Sequence, residues 1–196
     1  MKQFITLTAF FVISNCCTCQ VNSINEFNKE RVRATKRSMI ILGAWGSANL
    51  LYNGIALGSA TGSDTYFHQM NLIWGGVNFA IGTISFLFTK NKEELSYSQS
   101  IKKQMTIEKI YLFNTGLDVA YIAGGLYLRE KANSNTAKHD RYKGYGNSVI
   151  IQGSALFLFD GIMYLIHQKH GIKLYKLADN INIGAAFNGL GCIVKF

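Results

Sequence analysis

Two carboxylates stand alone in long apolar runs. Asp118 is the only charged residue between Ile110 and Leu128, and Asp160 the only one between Gly144 and Ile166. A carboxylate at mid-membrane depth costs about 2.5–3.5 kcal/mol on insertion scales, a cost that helix register alone seldom requires when an amide would serve. Acids kept in such a place can share or relay a proton, hold a cation, or bind a small polar ligand. Amides stand in the same runs: Asn114, Gln152, and the asparagines that end "WGSAN" (Asn49) and "WGGVN" (Asn78). His68, in "FHQMN", lies near the start of the second run. Asp118, Asp160, Asn114, Gln152, Asn49, Asn78 and His68 therefore form the candidate intramembrane polar site. The same residues also admit a plainer reading, a polar seam that fixes helix register, each bond contributing about 0.6–2 kcal/mol in a membrane.

For these groups to meet, the runs that carry them must be helices. No charge falls between Arg37 and Asp64, and none between Thr65 and Thr89 if His68 is neutral. At 1.5 Å rise per residue, about twenty residues cover the ~30 Å hydrocarbon core of a bilayer, so each of the four runs is long enough to cross it. Strands do not fit, because the runs are too long and do not alternate. A water-soluble bundle would carry a charged outer face on each helix, and these four have none. The expected fold is an all-α membrane protein, a four-transmembrane-helix bundle of two antiparallel hairpins with helices at about 38–58, 66–89, 108–129 and 145–168.

Trp45, Asn49 and Asn53 recur at helical spacing, as do Asn71, Trp74 and Asn78 in the second run. Asn114, Asp118 and Tyr121 share a face of the third, and Gln152, Asp160 and Tyr164 lie within one broad stripe of the fourth. Turning all four stripes inward hides them from lipid. Glycines beside them, among them Gly43, Gly46, Gly76, Gly82, Gly124, Gly125 and Gly161, would let the backbones approach closely.

Local signals set the expected boundaries. Ser23 and Glu26 have capping-box spacing, so the first helix is expected to carry "KERVRATKR" continuously toward the membrane. "GSATGSDT" is a short turn between the first two helices, and a charged linker over 90–109 precedes the third. Gly171, after His167 and His170, is the expected stop of the fourth. His68 and His167 are expected at the membrane interface with their polar tips in the headgroups. Over 176–196 the period changes to two, and Asn188-Gly189 predicts a β-hairpin that sets Ile183 opposite Val194.

The first nineteen residues have the layout of a signal peptide: Lys2, an apolar stretch from Phe4 to Ile13, and small residues at Cys17 and Cys19. Three of the four cysteines lie there, so cleavage after Cys19 would leave Cys192 alone, with no internal disulfide and no thiolate zinc site. Such cleavage would leave Gln20 outside and put fourteen Lys and Arg outside against five inside, which opposes the positive-inside rule. Either the segment stays or the charge rule is overridden.

No phosphate-cradling GxxxxGK[ST], no GxGxxG after a strand, no GxSxG elbow and no HExxH occurs in the 196 residues. The net charge of +9 is spread over segments flanking the runs, which suits anionic headgroups and gives no case for nucleic acid. No catalytic residue, metal site or cofactor is expected. The expected surroundings are a lipid bilayer, a bacterial inner membrane, with a membrane-protein partner or a second copy of the chain. Residues 38–167, with "LGAWGSANLLYNG", "YFHQMNLIWGGVN" and "FDGIMYLIHQKHG", resemble a family of uncharacterised small membrane proteins from Bacteroidota, a domain of unknown function. That resemblance implies a helical membrane protein and carries no activity or site residue. Two functions stay open: a structural or interaction protein held by its polar seam, and a small transporter or ion- or proton-handling protein that uses Asp118 and Asp160.

Overall fold

The computed structural model describes the backbone of residues 2–90, 94–179, 181–186 and 189–194, and side-chain surroundings within 23–90, 94–174 and at Lys176. Among these residues the chain forms four α-helices, α1 (Lys2–Ala56), α2 (Ser63–Phe88), α3 (Tyr97–Asn133) and α4 (His139–Asp179), with a 3-10 turn at Thr136–Lys138. The fold is thus a helical bundle, as expected, but its helices run well beyond the apolar runs. α1 passes through Ser23 without a start there. α3 begins inside the expected linker, where Ser96 Oγ accepts from Gln99 N at 3.4 Å and Gln99 Oε1 accepts from Ser96 N at 3.0 Å. This capping box ties down two backbone donors and starts the helix some ten residues early. Nor does Gly171 stop α4, which continues to Asp179. Gly171 is instead a place of close approach, since a Cβ there would lie 2.5 Å from Glu108 Oε1.

The order across the bundle is α1, α2, α4, α3. α1 and α2 form one hairpin, turned by Gly62 at φ 56°, a left-handed conformation that glycine adopts at little cost. The two helices meet backbone to backbone: a Cβ on Gly82 would lie 2.6 Å from Gly43 N, and one on Gly75 3.0 Å from Gly46 O. α3 and α4 form the second hairpin, and Gly125 and Gly146 make the same kind of contact there, each with a notional Cβ 2.8 Å from the other's carbonyl oxygen. α2 and α4 join the two hairpins. The backbones of α2 and α3 do not touch among the described residues. Not every expected glycine serves an interface: Gly76, Gly124 and Gly161 face open space.

Polarity is inverted relative to a soluble bundle. Leu51, Ile55, Leu87, Phe88, Phe113 and Leu158 are between 63% and 82% exposed, whereas Asn49, Asn53, Asn71, Asn78, Asp118, Gln152 and Asp160 are at most 9% exposed. Two helical stretches, Ser63–Phe88 and Thr136–Leu174, are long and apolar enough to cross a membrane. Four were expected. In α1 and α3 the pairs Asn49/Asn53 and Asn114/Asp118, set among glycines and tyrosines, dilute the apolar run.

In the tail, strands β1 (Ile181–Ala186) and β2 (Gly189–Val194) pair antiparallel. The expected register is not the one found. Ile183 lies opposite Cys192 and Ile181 opposite Val194, because the ladder closes at Ala186 and Gly189, one residue before the Asn188-Gly189 turn. Phe187 and Asn188 lie outside the described residues. The slip moves each partner by two positions, so the residues expected to share a face still do.

The glycine contacts make a sharp prediction. Gly82→Ala and Gly125→Ala force a methyl into backbone atoms, an overpacking that costs about 1–3 kcal/mol, and lower the melting temperature by several degrees. Gly76→Ala and Gly124→Ala meet nothing and gain up to about 1 kcal/mol of helix propensity. Thermal unfolding of the four variants in detergent checks this; equal effects in all four would contradict the packing.

Candidate functional site

The sequence-predicted polar residues fall into two groups at different heights of the bundle. The first centres on Gln152 of α4. Its Nε2 donates to Asn49 Oδ1 and to Asn71 Oδ1, both at 2.7 Å, and its Oε1 accepts from Trp45 Nε1 at 3.0 Å. One amide thereby ties α4 to both α1 and α2. Each asparagine turns its own Nδ2 back to the carbonyl one turn earlier, Asn49 to Trp45 O at 2.9 Å and Asn71 to Phe67 O at 3.0 Å. The network continues through Asn53, whose Nδ2 donates to Asn49 O at 2.8 Å and whose Oδ1 meets His68 Nδ1 at 2.7 Å. His68 is thus tied into the bundle by its imidazole, and every polar atom of Gln152 has a partner.

The second group is built by α3 and α4. Asp118 lies one turn after Asn114 on α3, and Asp160 stands on α4. These groups open on a cavity of about 380 Å³ lined by all four helices. It lies between α2 and α3, and Thr35, Met39 and Leu42 of α1 and Leu156 and Phe159 of α4 complete its lining. Asn78 lines it from α2. Trp74 and Tyr121 meet across the gap edge to face, ring centroids 5.0 Å apart. Here two buried polar atoms have no hydrogen-bond partner, Asn78 Nδ2 and Asp118 Oδ2.

Of the seven candidates, the structure brings Asp118, Asp160, Asn114 and Asn78 to one cavity, and gathers Gln152, Asn49 and His68 into the separate amide network. His167, expected at the interface, is fully buried and stacks on Tyr111 with ring centroids 5.3 Å apart. Tyr111 in turn reaches α1, its Oη 2.8 Å from Ser38 Oγ.

A third polar cluster was not expected at all. Arg31, in the basic turn, is almost fully buried, and its Nη1 donates to Ser100 O at 3.3 Å. Ser100 Oγ donates to Asn28 Oδ1 at 3.0 Å, and Gln104 Nε2 donates to His167 O at 2.6 Å. At its rim Lys173 Nζ donates to Glu30 Oε2 at 2.8 Å, and this bond together with the lysine charge holds the Glu30 carboxyl below its ordinary range. Ser96 and Gln99 carried the only legible signal, a capping box that would have placed Ser100 and Gln104 on a helix.

The two main groups respond oppositely to an apolar side chain. Gln152→Leu strands the carbonyl oxygens of Asn49 and Asn71 and the indole N–H of Trp45, at about 1–3 kcal/mol for each group left unpaired, and lowers the melting temperature. Asn78→Leu removes a donor that has no partner and leaves the melting temperature unchanged or higher. Thermal unfolding of both variants decides; a drop of similar size in each would contradict this division.

Residues 41–161 match the Family of unknown function (DUF6992). That span holds both the amide network and the cavity's polar end. No curated protein and no solved structure matches the chain. With more than half of its length covered, the chain belongs to the Family of unknown function (DUF6992).

Proposed function

We propose that this chain is an integral membrane protein, seated in a bacterial inner membrane, that takes a small molecule into the cavity between α2 and α3 and anchors it on Asp118 and Asp160. One observation carries this reading: Asn78 and Asp118 line the same 380 Å³ cavity, and each has a buried polar atom, Nδ2 and Oδ2, without a hydrogen-bond partner. A seam that serves only packing has no reason to leave an unpaired donor and acceptor beside a hole, since each costs about 1–3 kcal/mol. The Gln152 network is what a packing seam looks like, with each polar atom of that amide matched. The structural reading therefore accounts for the amide network, and the binding reading for the carboxyl pair.

The apolar outer faces support the membrane setting, because exposed Leu, Ile and Phe on every helix would be unfavourable in water. On this reading all four helices span, over about 38–58, 66–89, 108–129 and 145–168. α1 and α3 cross despite their amides and acid because those groups face inward. A cavity of this volume lies within the ordinary range for small-molecule sites.

The test is a thermal-shift screen of the purified protein in detergent against small organic molecules matched in size and differing in charge. At least one class raises the melting temperature, since a ligand at 100 times its dissociation constant adds about 2.7 kcal/mol. Leu156→Trp, which fills the cavity with an indole, abolishes the shift. Absence of any response across the panel would overturn the binding reading.

A further inference from the structure

Resting on the ligand-binding reading of the cavity, we propose that the molecule it takes is an organic ammonium ion with an apolar body and an oxygen acceptor. Charge decides first. Asp118 and Asp160 both line the cavity, so two acids meet there. Among the described residues lining the cavity there is no Lys, Arg or His. A buried charge with no cation beside it is costly, and a cationic ligand removes that cost.

Size and wall chemistry then exclude a bare ion. A water molecule takes up about 30 Å³ in the liquid, so the 380 Å³ cavity holds far more than a single ion. A hydrated ion would need polar walls. Here most of the lining is apolar, with Met39, Leu42, Val77, Ile81 and Leu156 among it, which suits hydrocarbon. Trp74, Tyr111, Tyr121 and Phe159 also line it, and the faces of such rings attract ammonium groups. The unpartnered Asn78 Nδ2 supplies a donor, which an ether or hydroxyl oxygen on the same molecule accepts.

A proton and an ammonium compete for the same carboxyl oxygens. The other titratable groups facing the pair are few. α1 and α2 present none to the cavity, α3 presents Tyr111 and Tyr121, and α4 adds His167 stacked behind Tyr111. Affinity for the ammonium therefore falls as pH falls.

Three probes with one body separate the outcomes: 2-phenoxyethylamine, 2-phenoxyethanol and phenoxyacetate, titrated against the purified full chain by thermal shift and calorimetry. The amine binds at least tenfold more tightly than the alcohol, and phenoxyacetate does not bind. Affinity for the amine weakens as pH is lowered. In Asp118→Asn/Asp160→Asn the preference for amine over alcohol is lost while the alcohol still binds; if the double variant fails to fold, Asp118→Asn and Asp160→Asn singly each reduce that preference. Equal or tighter binding of the alcohol or the acid overturns the charge selection and leaves the cavity reading standing. No response to the amine overturns this inference whatever else binds, and the wider screen then decides the cavity reading separately.

Discussion

The bundle depends on keeping uncharged amides and two acids buried between its helices. Its outer faces carry exposed Leu, Ile and Phe; in the proposed membrane setting hydrophobic burial is a weak source of helix association, and close backbone packing and hydrogen bonds supply the rest. Gln152 is the centre of that arrangement. One side chain satisfies groups on α1 and α2 at once, and it reaches them because Gly46 and Gly75 let those two helices meet backbone to backbone. Lengthen either contact by an ångström and the 2.7 Å bonds are lost.

The cavity is a consequence of the same packing. Glycines draw α1 onto α2 and α3 onto α4, and α4 joins the pairs through α2, which leaves α2 and α3 apart. Across that gap the side chains are large, Trp74 against Tyr121, and the polar groups are short, Asn78 against Asp118, so the space is bridged at the rings and open at the acids. Packing that satisfies one polar group leaves the other unsatisfied. The cavity and the bundle geometry therefore have a single cause.

Much of this was legible in the sequence. The 3.6-residue spacing of Asn49, Asn53, Asn71, Asn78, Asp118 and Gln152 gave the buried faces, since periodicity alone says which residues share a side. It could not say that Gln152 and Asp118 sit in different environments, because which helices are neighbours is a tertiary property. Gly171 was read as a helix stop from its position after two histidines, but glycine also serves close contact, and Glu108 occupies that space. His167 was read as interfacial by residue type, and Arg31 only as part of the basic segment leading toward the membrane. Their burial follows from α1 and α3 both extending past the apolar runs, so that charged segments pack on one another. The two-position slip of β1 against β2 has no counterpart in the alternation pattern, which is identical in either register.

The central claim is that apolar residues face lipid while the polar stripes face one another. Site-directed spin labelling in proteoliposomes tests it most directly, with nitroxides at Leu51, Leu87, Phe113 and Leu158, one on each helix, and collision with oxygen compared with a water-soluble nickel chelate. The account predicts high oxygen and negligible nickel accessibility at all four positions, because all four are exposed on the outside of the bundle. Nickel accessibility at these positions would contradict it, since those faces would then be in water and the inverted polarity would need another cause.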